Sequence, residues 1–159
     1  MVERRFCKAM VGGSNPPAGS IYIMVGINKK LKGDTAELIV AAKFIADGFR
    51  VLFPYGENSR YDLVAEKNGK FFRVQVKYVT PKNGALEVNC RSSNNWSVIH
   101  YSKEDFDIIG VFDPIHGKIY FIPSKMVNNS TIRLRLEKSR NNQKKYVHYA
   151  EDYSKIPTF

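Results

Sequence analysis

An α+β (or mixed α/β) fold is predicted for this 159-residue chain by three observations. A capping-box pattern, Asp34-Thr35-Ala36-Glu37, opens a segment with helical apolar spacing. Asn68-Gly69 sits between two alternating runs, a strong short-range signal for a two-residue hairpin. Several further short apolar runs follow, separated by Pro and Gly turns. One helix followed by a mostly antiparallel sheet satisfies all three.

Taken in order, residues 1–31 read as an extension or arm. Residues 2–8 are short and basic, Gly12 to Gly19 is rich in Gly, Ser, Asn and Pro, 21–25 has strand-like composition, and 28–32 reads as a basic linker. Residues 32–159 read as a single domain. The helix is expected from Asp34 to Asp47, with Leu38, Ile39, Ala42, Ile45 and Ala46 on its apolar side and Gly48 as its left-handed stop. A short strand over 49–53 ends at Pro54. The hairpin arms are 60–66 and 70–79. Strands are expected at 86–90, 108–112, 118–122 and 131–136, with a helical turn at 102–105.

Lys plus Arg number 25 against 15 Asp plus Glu, a formal net charge of +10. Such an excess favours a polyanionic partner. Aromatic residues make up 13% of the chain, enough apolar surface to exclude wholesale disorder. No apolar run reaches the roughly 18 residues that span a bilayer, and the basic start leads into Gly, Ser, Asn and Pro rather than a signal-peptide core. No membrane partner is expected. Cys7 and Cys90 lack metal or disulfide-scaffold spacing, so a reducing, cytoplasmic interior is expected, with Cys7 a surface thiol and Cys90 a small buried hydrophobe. His100, His116 and His148 are scattered and receive no role.

The hairpin carries the chemistry. A two-residue turn at Asn68-Gly69 makes partners' numbers sum to 137, so Asp62 faces Gln75. Lys77 lies two residues on and shares that face, while Leu63, Ala65, Phe72, Val74 and Val76 fall on the other as a core should. A carboxylate, an amide oxygen and an ammonium then converge at the open end. That set suits Mg²⁺-assisted phosphodiester hydrolysis, with Mn²⁺ as a substitute. Asp62, the Gln75 amide oxygen and the Val76 carbonyl are the expected ligands, Lys77 orients water or stabilises charge, and Glu37 joins if the helix packs beside the hairpin. The bland alternatives are a solvated hairpin face and a Glu37 that only caps its helix.

Tyr61-Asp62 … Gln75-Val76-Lys77, preceded by Glu37, resembles the PD-(D/E)XK nuclease signature. The likeness is greatest to the small group I intron homing endonucleases of that superfamily, known from cyanobacteria. It extends over 33–48, 54–63, 101–107, 120–123, 141–145 and 150–153, so about residues 32–153. The resemblance implies a restriction-endonuclease-like core with a central mixed sheet flanked by helices. It also implies divalent-metal cleavage of double-stranded DNA in one step, leaving 5′-phosphate and 3′-hydroxyl, and a homodimer or homotetramer. Tyr61 stands where the signature has Pro, and Gln75 where it usually has an acid, which removes one negative charge from the metal site; the homing branch resembles this chain in having Gln there.

Residues 125–145 hold seven positive charges against Glu137. Arg133 and Arg135 share a strand face, and Arg140, Asn141, Asn142, Gln143, Lys144 and Lys145 follow, the side-chain types that read base edges and phosphates. Arg91, beside Asn94, Asn95 and Trp96, and Arg73, which lies across from Val64, are further candidates for DNA contact; Arg73 alternatively pairs with Glu66. A site-specific homing-type DNA endonuclease is the expected function. A Holliday-junction resolvase, also similar in its Glu, Asp and Val-Lys pattern, and a non-catalytic DNA-binding protein are the alternatives.

Overall fold

A computed structural model describes residues 28–56, 59–93, 98–127, 131–137 and 147–157, with backbone alone for 92–93 and 98–100. Helix α1 spans Lys29–Ala46, starting six residues earlier than the capping box predicts. Asn28 is the actual N-cap, its side-chain oxygen accepting from the Leu31 amide at 2.8 Å. The expected linker over 28–32 is therefore the cap and first turn, and Asp34 and Glu37 are helix-interior residues. Lysine and leucine propagate the helix well, and Gly33 costs only about 1 kcal/mol there. The stop at Gly48 is as expected, with φ 82° and the Phe49 amide bonded back to the Phe44 carbonyl at 3.0 Å.

The apolar side of α1 also differs from expectation. Ala36, Val40, Ala41 and Phe44 are buried, while Leu38 and Ile45 stay 64% and 59% exposed. Close packing selects this face. A Cβ placed on Gly110 of the sheet below would lie 2.9 Å from Val40 Cγ1. Small side chains in that seam let helix and sheet approach, so size outweighs hydrophobicity. Leu31, Leu38 and Ile45, spaced by seven, are left as an outward apolar stripe.

The strands are β1 Arg50–Leu52, β2 Leu63–Lys67, β3 Lys70–Tyr78, β4 Ala85–Asn89, β5 Arg91–Ser93, β6 Val98–His100, β7 Ile108–Asp113, β8 Lys118–Pro123, β9 Thr131–Arg135 and β10 His148–Tyr149. A central sheet runs β1-β2-β3-β7-β8. Its hairpin has the predicted register, Leu63 opposite Val74 and Lys67 opposite Lys70, turned by Asn68 and Gly69 with φ 54° and 76°. Strand β7 pairs parallel with β3 while the other three pairings are antiparallel, so the sheet is mostly antiparallel, as expected, and mixed. The long crossover between them permits the parallel pairing and carries β4, which pairs with β9 from beyond β8, and β9 with β10, in a separate three-stranded sheet. Strands β5 and β6 pair antiparallel, an element the sequence reading did not include.

Three layers result. Helix α1 covers one face of the central sheet through Phe44, Leu63, Val74, Ile108 and Phe121. The second sheet covers the other through Leu86, Val88, Ile132 and Leu134 against Ile109, Val111 and Ile122. Strand β7 is covered on both sides, and all six of its residues are buried. Each such large apolar side chain contributes roughly 1.5–3 kcal/mol on burial. Cys90 is a buried free thiol, as expected, whereas Cys7 lies outside the described residues.

Candidate active site

Strand β2 begins at Leu63, and Asp62 sits just before it at the open end of the hairpin. Its amide still bonds the Val74 carbonyl at 2.9 Å, which anchors the backbone. Its carboxylate turns across to β3. Asp62 Oδ2 accepts from Gln75 Nε2 at 2.6 Å and from the Val76 amide at 2.5 Å. The juxtaposition expected from the register is thus present. Gln75 is 6% exposed, and its Nε2 lies 3.4 Å from the Val76 carbonyl as well. One amide group therefore lies between two oxygens, those of Asp62 and Val76.

Lys77 is on the same strand face, but its ammonium does not bond Asp62. It lies 3.2 Å from Tyr101 Oη and 4.8 Å from the centre of that ring. Tyr101 is held in turn by an edge contact with buried Phe106, ring centres 5.5 Å apart, and by its amide on the Cys90 carbonyl. Tyr101 went unassigned in the sequence because it is 24 residues from Lys77 and on no shared element.

Burial raises the Asp62 pKa above its ordinary value, opposed by the Val76 amide and the Lys77 charge. Glu37, on the third turn of α1, is pushed up to about 7 by burial first, then by the charges of Asp62 and Asp34. Helix and hairpin therefore place two carboxylates within each other's field. Among the described residues no three or more His, Cys, Asp or Glu side chains cluster. The oxygen set is two acids, one amide and one backbone carbonyl, which is the donor chemistry of a hard cation rather than of zinc.

The expected DNA-contacting residues divide. Arg73 bonds its guanidinium within the chain, at a partly exposed position: Nη2 and Nε reach Asp107 at 3.1 and 3.2 Å, and Nη1 reaches the Glu104 carbonyl at 2.7 Å. The alternative pair with Glu66 is not formed; Glu66 accepts from the Gly69 amide at 2.9 Å and faces Arg50 at 3.9 Å. Arg91 opens β5, exposed. Arg133 is exposed and Arg135 partly so, both on the outward face of β9, since Ile132 and Leu134 point into the core. Arg140, Asn141, Asn142, Gln143, Lys144 and Lys145 lie outside the described residues, as do Asn94, Asn95 and Trp96. His116 serves locally, its Nδ1 2.6 Å from buried Asp113. No helix among the described residues is long and apolar enough to cross a membrane.

Comparison with known proteins gives concordant matches. The family profile described as PD-(D/E)XK endonuclease matches residues 27–156. Protein 5.3 of Escherichia phage T7 is 34% identical over 88 residues, spanning 52% of this chain and 71% of that protein. The structure of the bacterial homing endonuclease I-Ssp6803I superposes with a TM-score of 0.65 at 27% identity, covering 80% of this chain and 88% of the other. The Holliday junction resolvase Hjc of Archaeoglobus fulgidus reaches a TM-score of 0.42 at 14% identity over 65% of this chain and 84% of its own, too low to bear on function.

Proposed function

The chain belongs to the PD-(D/E)XK endonuclease family, and from that premise we propose that it is a divalent-metal-dependent endonuclease hydrolysing phosphodiester bonds of double-stranded DNA at specific sites, in the manner of a homing enzyme. The observation that carries this reading is the contact of Asp62 with Gln75 and the Val76 amide, beside Lys77 and within the field of Glu37. In this reading one nuclease domain begins with α1, and the arm expected over residues 1–31 lies mostly outside the described residues.

The residues fit a Mg²⁺ or Mn²⁺ ion. Gln75 Nε2 donates to both Asp62 Oδ2 and Val76 O, so a positively polarised group already lies between two prospective ligands. Asp62, Glu37, Gln75 through Oε1, and the Val76 carbonyl would hold the ion. When bound, it supplies charge neutralisation and a more acidic water. The chain's own groups do the rest. Turning the Gln75 amide exchanges Nε2 for Oε1 and leaves Asp62 Oδ2 with the Val76 amide as its remaining donor. Lys77, released from or pivoting on Tyr101, donates to the attacking oxygen or to the charged phosphate oxygens. Burial of Asp62 keeps water from competing for it.

A duplex read by one 159-residue chain gives too few contacts for rare-site specificity, so a homodimer or homotetramer on a partly palindromic site is part of the reading. The outward stripe of Leu31, Leu38 and Ile45 supports it, because heptad-spaced apolar residues are self-complementary between helices.

Supercoiled plasmid carrying candidate sites, incubated with Mg²⁺, with Mn²⁺ and with EDTA, tests the proposal. Metal-dependent nicking or linearisation is expected, falling at least roughly 100-fold in Asp62→Ala and Lys77→Ala. Undiminished cutting by Asp62→Ala defeats it. Preference for a four-way junction over linear duplex would redirect it to a resolvase.

A further inference from the structure

Strands β4 and β9 form an antiparallel ribbon with two unlike faces. Leu86, Val88, Ile132 and Leu134 close the core. On the other face Glu87 lies opposite Arg133, and Asn89 opposite Thr131, all four exposed. Directly opposed Glu87 and Arg133 form no ion pair among the described residues, although register puts them side by side. Thr131 Oγ1 donates to Asn89 Oδ1 at 3.1 Å, which orients the amide and leaves both Nδ2 donors and an Oδ1 lone pair for a partner.

The ribbon also adjoins the candidate active site. Glu87, Asn89 and Thr131 line a cleft of about 350 Å³ together with Lys77 and Lys82. A ligand phosphate at Lys77 would therefore bring its flanking bases over this ribbon. A two-stranded ribbon fits the major groove of B-DNA, and the four side chains are matched to base edges: Asn to adenine, Arg to guanine, Glu to the cytosine amino group, Thr to the thymine methyl or a polar edge. Arg133 and Arg135 on the same face, with the two lysines that line the cleft, outweigh Glu87 and complement the polyanion.

We propose that the outward face of the β4–β9 ribbon is the base-reading surface for the pairs beside the cut phosphate, with Glu87, Asn89 and Thr131 joining Arg133 in the major groove. This rests on the nuclease reading, since Lys77 sets where the phosphate lies. It adds three specificity determinants that charge alone does not reveal, one of them acidic.

The full chain and its Glu87→Ala, Asn89→Ala and Asn89→Asp variants should be passed through two parallel assays. One selects bound duplexes from a randomised library; the other sequences the ends cut from that library with Mg²⁺. Each variant is expected to lose preference roughly 5- to 150-fold at one or two positions next to the cut, with the remaining positions unchanged. Asn89→Asp should shift its position from adenine toward cytosine rather than merely relax it. Identical preferences in variants and parent at every position overturn the ribbon, whether or not the parent cuts; so does the absence of any sequence preference in the parent. Altered binding preferences with no cutting by the parent uphold the ribbon and defeat the nuclease reading, so the two failures are separable.

Discussion

Gln75 takes the place where the PD-(D/E)XK signature usually carries an acid, and its amide bonds the acid that remains. With one carboxylate fewer, repulsion at the site falls mainly on the pair Glu37 and Asp62. Glu37 is accordingly raised from an ordinary value near 4.5 to about 7, by burial and then by Asp62 and Asp34. The folded metal-free chain holds this proton more tightly than the unfolded one. Its stabilising contribution is therefore complete below the ordinary value and is lost as pH rises through about 7. Asp62, also raised, acts with the same sign. In EDTA the melting temperature should fall through this term between about pH 5 and pH 8, and Glu37→Gln should flatten that slope. A bound cation requires both acids ionised, so Mg²⁺ affinity should rise with pH over the same window, with proton release measurable by calorimetry in two buffers. A metal-free stability rising with pH to the same extent in parent and Glu37→Gln would contradict the assignment.

Helix α1 has apolar residues on two sides, and packing decides which is buried. Ala36, Val40 and Phe44 enter the core because Gly110 of β7 lets the helix come close. Gly110→Ala should overpack this seam, its Cβ meeting Val40 Cγ1 at 2.9 Å, at a cost of about 1–3 kcal/mol. For a domain of this size that is a melting-temperature loss of roughly 2–12 °C. Val40→Ala removes the obstructing methyl groups, so the double variant Gly110→Ala/Val40→Ala should be less destabilised than the sum of the singles. Additive losses in thermal melts would mean that the seam is not tight. The hairpin β2–β3 is governed differently: its turn sets a register that cannot slip without turning Leu63 and Val74 out of the core.

The molecule is three layers thick, with the candidate site where the hairpin's open end, α1 and the segment carrying Tyr101 meet. Its helix layer presents Leu31, Leu38 and Ile45 outward, and its formal net charge is +10. Self-association must offset repulsion between like-charged copies, which an apolar stripe can do and a polar one cannot. Sedimentation at moderate salt should give two or four times the 18.2 kDa chain mass. Leu38→Glu with Ile45→Glu should lower that mass without lowering the melting temperature, since neither side chain is in the core. A monomer at micromolar concentration in the parent would remove the oligomer from the reading.

Local chemistry made much of this legible in the chain itself. Asn68-Gly69 dictates its turn, the turn dictates the register, and the register brings Asp62 to Gln75. Strands 108–112 and 118–122 and the helix stop at Gly48 follow from short-range preferences in the same way. What depends on contacts distant in sequence was not legible. The start of α1 was misplaced because Asn28 and Asp34 both have capping chemistry, and the helix continues wherever propensity allows. Its buried face was misread because hydrophobicity does not report the closeness that Gly110 permits. The parallel pairing of β7 with β3, and the hold of Tyr101 on Lys77, join residues separated by a whole crossover, so no periodicity or spacing encodes them. They exist only once the layers have packed.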